Sequence, residues 1–63
     1  MIDRETRAIV AETAALALRR VELRQAIAKA ATPARRDAYE REMVATVIAH
    51  EVWRERLRAR IDG

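Results

Sequence analysis

Sixty-three residues with no cysteine and a formal charge of +3 restrict this chain to one small domain without disulfide or thiolate-zinc support. A chain this short rarely builds a core worth more than a few kcal/mol, so assembly with another chain is the remaining common route to stability. Serine is absent and the only glycine is Gly63, so neither the usual nucleophiles nor a glycine-rich phosphate loop is present. An enzyme is not expected, nor a cofactor.

Alanine, leucine, glutamate and arginine dominate, and Tyr39 and Trp53 are the only aromatic residues. That mixture reads as long helix or coiled coil. The opening Met1-Ile2-Asp3-Arg4-Glu5 is too charged for a secretory signal. The uncharged run Met43 to His50 falls far below the ~20 apolar residues of a membrane-spanning helix. A soluble, cytoplasmic protein with no membrane partner is expected.

In chain order, Asp3 is a good N-cap, with Glu5 favourably placed in the first turn. No helix breaker follows until Thr32-Pro33. The residue before proline avoids the helical region, which ends helix 1 near Ala31. Thr32 then caps helix 2, with Pro33 at the first helical position, where its missing N–H costs nothing. The spacing predicts helix 1 over about 4–31, a turn at 32–33 and helix 2 over about 33–61, all within one domain spanning 1–63. Two helices joined this tightly lie antiparallel, pairing residue i with about 64 − i.

Apolar residues mark the packing faces. In helix 1, Ile2, Ile9, Leu16, Leu23 and Ala30 recur every seven residues, joined by Ile27. A second, mostly small stripe holds Val10, Ala14, Ala17, Val21, Ala28 and Ala31. In helix 2, Tyr39, Met43, Val47, His50, Trp53, Leu57 and Ile61 follow one helical face. Val44, Ile48 and Val52 form another stripe, roughly 100–150° further round. Two stripes need two packing partners, and a hairpin supplies one. The expectation is an all-α antiparallel hairpin that dimerises into a four-helix bundle, with Val10, Leu16, Val44, Ile48, Val52 and Trp53 at the dimer or partner interface.

In length and layout the whole chain resembles the Rop/Rom plasmid copy-number regulators, helical hairpins that dimerise into four-helix bundles and bind paired RNA loops. The resemblance extends to no motif. Those proteins present a lysine- and glutamine-bearing face around a phenylalanine, whereas this chain has no phenylalanine and only Gln25 and Lys29 of those polar types. No residue role carries over.

Charge is unevenly spread. Arg19, Arg20, Arg24, Lys29, Arg35 and Arg36 against Glu22 give +5 over 19–36, while the open end of the hairpin is neutral. Those six cations are the candidate nucleic-acid contacts, since arginine forks match phosphate. The competing reading is a salt-bridged helix surface, because acids and arginines alternate and no aromatic residue is interleaved as a stacking platform. Arg20 and Arg24 intrude on helix 1's apolar face, and an Arg24–Glu40 interhelical pair is expected to fix the register. Arg54, Arg56, Arg58 and Arg60 step by two, so they point to different sides.

His50 is the only histidine, and no histidine or carboxylate stands three or four residues away to complete a helical metal site. It is expected in or beside the core, facing its own copy across the dimer, where it would make assembly sensitive to pH. Tyr39 and Trp53 read as core-edge anchors, and Trp53 is also the residue type that dominates interfaces. The function this pattern supports is a non-catalytic interaction module that regulates, inhibits or tethers a larger protein. The alternative is a nucleic-acid-binding regulator working through the turn-end arginines.

Overall fold

The computed structural model describes residues 2–62 as two helices packed side by side, α1 over Arg4–Lys29 and α2 over Pro33–Asp62. The molecule is a rod of 47 × 16 × 13 Å. α1 stops two residues earlier than the sequence spacing predicts, because Ala30 leaves the helix with φ −61° and ψ 128°.

Both helix starts follow local chemistry. The Asp3 carboxylate accepts the Thr6 N–H at 2.7 Å. Thr32 accepts the Arg35 N–H through its hydroxyl at 3.2 Å, and its carbonyl accepts the Arg36 N–H at 3.1 Å, with Pro33 between. Hydrogen bonding by Thr6, through its hydroxyl and its backbone N–H, holds the Asp3 carboxyl below its usual range. A depressed carboxyl stabilises the fold above its unfolded pKa and loses that contribution as pH falls through the folded value. Amide exchange at residues 4–7 is therefore expected to speed up below the ordinary aspartate range, before exchange at mid-helix changes. An Asp3→Asn variant, which keeps the cap without the charge, should show no such acid step.

The seam between the helices is a heptad pattern read from both sides. On α1, Thr6, Ile9, Thr13, Leu16, Arg20, Leu23 and Ile27, continued by Ala30 at its C-cap, alternate steps of three and four, and all are buried or half-buried. On α2 the same rhythm runs through Tyr39, Met43, Thr46, His50, Trp53 and Leu57. Among the described residues Ile9 and Leu23 are the buried apolar ones, and Thr46 and His50 the buried polar ones. Thr46 was not anticipated because a threonine reads as polar. Its hydroxyl is satisfied by the Glu42 carbonyl at 2.8 Å, one turn back, and Thr13 repeats the device on Ile9 at 2.7 Å. Ile2 and Ile61, expected on the packed stripes, are exposed near the ends of the chain.

The interhelical ion pairs also differ from expectation. Arg24 and Glu40 are both exposed and form no pair; Arg19–Glu42 and Glu5–Arg60 bridge the helices instead. Glu5 and Arg19 lie fourteen residues apart, two heptads along one flank of α1, so both bridges fall on the same edge of the seam. Arg24 lies off that edge. Hydrogen bonding to Glu42, then the charge of Glu42, raises the Arg19 pKa above its usual value. Both partners are about half exposed, which makes the bridge a register mark more than a source of stability.

Candidate interaction surface

Two helices cover each other along one line only, and the rest of the apolar surface is left open. The chain exposes 4963 Å², whereas a compact monomer of its 7.2 kDa mass exposes ~4,100 Å². Its radius of gyration, 14.5 Å, likewise exceeds the ~10.6 Å of a compact chain of this length.

The uncovered apolar groups sit on the outer backs of both helices. On α2, Val44, Ile48 and Val52 are 59%, 61% and 46% exposed. On α1, Val10, Leu18 and Val21 are exposed, with Ala14 between them. Leu18 was missed by the sequence reading, although 11, 14, 18 and 21 continue the same three-four rhythm. Leu16 and Trp53, expected at an outer interface, are half-buried in the hairpin's own seam. Trp53 carries the Arg56 guanidinium 4.8 Å from its ring centre, which shields its outer side.

His50 is buried as expected, within the seam between the two helices. Its Nδ1 lies 2.9 Å from the Arg20 guanidinium. Arginine only donates, so Nδ1 accepts and the ring proton belongs on Nε2. Arg20 thus enters the apolar seam because His50 receives it. Removing the acceptor by His50→Ala is expected to cost about 1–3 kcal/mol, since a half-buried guanidinium loses its partner. The apolar double variant Arg20→Met/His50→Leu should recover much of that loss in urea denaturation.

The other turn-end cations, Arg24, Lys29, Arg35 and Arg36, are exposed, and none joins an ion pair among the described residues. Two shallow grooves flank the open half of the seam. One, of about 540 Å³, runs past Glu5, Ile9, Trp53 and Arg60; the other, of about 440 Å³, past Thr13, His50, Arg54 and Leu57. Among the described residues no cluster of three histidine, cysteine or acidic side chains is placed to hold a metal, and no helix is long and apolar enough to cross a membrane. No family model, curated protein or solved structure matches the chain.

Proposed function

We propose that the chain is a non-catalytic interaction module, a helical hairpin that dimerises into a four-helix assembly and regulates, inhibits or tethers a larger protein. The observation that carries this reading is the imbalance of the fold: Ile9 and Leu23 are buried, while Val10, Leu18, Val21, Val44, Ile48 and Val52 stand open. Two rods cannot shield that much apolar surface; a second pair of rods can cover part of it and a larger partner the rest. The excess of ~800 Å² over a compact monomer equals one partner's share of a standard protein interface.

Sedimentation equilibrium at micromolar concentration tests the dimer, with a mass of two chains expected and a mass of one chain overturning it. Affinity capture from the native host tests the larger partner. One protein recovered after nuclease treatment and at high salt is expected, and Leu18→Glu/Val21→Glu should lose it.

A second reading, nucleic-acid binding, is favoured by Arg24, Lys29, Arg35 and Arg36 at the turn, which are exposed and form no ion pair among the described residues. It requires polynucleotide affinity that falls steeply with salt and is lost on charge reversal at Arg24, Arg35 and Arg36.

A further inference from the structure

The outer face of α2 has a symmetry of its own. Arg41, Ile48 and Glu55 are spaced seven residues apart and lie on one line along the helix. Val44 and Val52 flank Ile48 at four residues before and four after. Ile48 is therefore the midpoint of a pattern that is apolar near the centre, basic at one end and acidic at the other. All five residues are exposed.

Resting on the dimer reading above, we propose that a second copy of this chain docks antiparallel on this face, with Ile48 at the two-fold axis. Val44 then opposes the partner's Val52, and Arg41 meets the partner's Glu55, each contact occurring twice by symmetry. Arg41 and Glu55 each stand about 10.5 Å from the axis at ~1.5 Å per residue, so both ion pairs form in one register. A parallel pairing sets Arg41 beside the partner's Arg41 and Glu55 beside the partner's Glu55, which repels at both ends.

Side-chain size agrees with charge. On one side of the Arg41–Ile48–Glu55 line run Ala38, Ala45, Val52 and Ala59, and on the other Asp37, Val44 and Glu51. The two-fold axis keeps each row on its own side, so the small row of each helix lies against the small row of the other, which lets the backbones approach. Arg41 forms no ion pair among the described residues. Glu55 bonds Arg58 at 2.8 Å, but both groups are more than half exposed, so that bond is readily exchanged for one to a second copy. This placement puts α2 and its copy at the centre of the assembly, with each α1 outside. The Val10–Leu18–Val21 face of α1 stays open for another protein.

Charge reversal and cysteine cross-linking test the register. Arg41→Glu and Glu55→Arg should each raise the dimer dissociation constant about tenfold or more, and the double reversal should restore it. Because the chain has no cysteine, Val44→Cys mixed with Val52→Cys should form a disulfide-linked dimer under mild oxidation far faster than either variant alone. A wild-type mass of one chain would sink the dimer reading together with this one. A dimer that tolerates both single reversals, or that links Val44→Cys chains to each other, overturns the antiparallel α2 face and leaves the dimer standing. Helix content by circular dichroism is checked for every variant, and the exposure of Arg41 and Glu55 makes their reversals compatible with the hairpin.

Discussion

Leu23→Ala is expected to unfold the protein or bring it to the edge of unfolding. Among the described residues Leu23, at 1% exposed, is the most completely buried side chain, and Ile9 is the one other buried apolar residue. Truncating a buried leucine costs about 2–5 kcal/mol through lost transfer energy and the cavity left behind. A chain of this length has a total stability of roughly 3–9 kcal/mol, so the loss is comparable to the whole. Urea denaturation followed by helix signal reads it directly. Leu18→Ala is the control: Leu18 stands open on the outer face of α1, and its truncation should shift the midpoint only slightly. Equal effects at the two positions would contradict the heptad seam.

Ile48→Asp separates the hairpin from its assembly. Within a single chain Ile48 is 61% exposed, so a carboxylate there is solvated and should cost little. With a second copy against that face, two carboxylates meet at the axis in an apolar contact. An uncompensated charge buried in this way costs about 3–5 kcal/mol. The expected result is dissociation and, at micromolar concentration, unfolding, because the free hairpin has so little core. Unchanged melting and unchanged mass would show that α2's outer face has no apolar partner. Val44→Asp and Val52→Asp should follow Ile48→Asp.

The residues that sequence reading misplaced share one cause. Arg24 and Glu40 look like partners when helix positions are matched by height alone. The seam, however, selects side chains by height and by angle around the axis, and Arg19 and Glu42 satisfy both. His50 was expected in or beside the core, but no partner for it appears within one turn of its own helix. Its partner, Arg20, is thirty residues away, and only the packed hairpin brings the two together. Leu16 and Trp53 were assigned to an outer interface because apolar character alone does not say which stripe a partner helix will claim.

The amino-acid order alone determined the helices and their reversal. Asp3, Thr32 and Pro33 are local signals, written in caps and fixed dihedral angles, and no distant contact is needed for them to act. It also determined that α2 carries two apolar stripes, because that follows from the period of the helix. Tertiary structure decided which stripe was covered, that Arg19 and Glu5 bridge the helices, and that threonine, arginine and histidine occupy much of the seam. Those choices depend on how two surfaces mesh. A polar side chain becomes a seam residue only where a carbonyl or ring nitrogen on the packed structure is there to receive it.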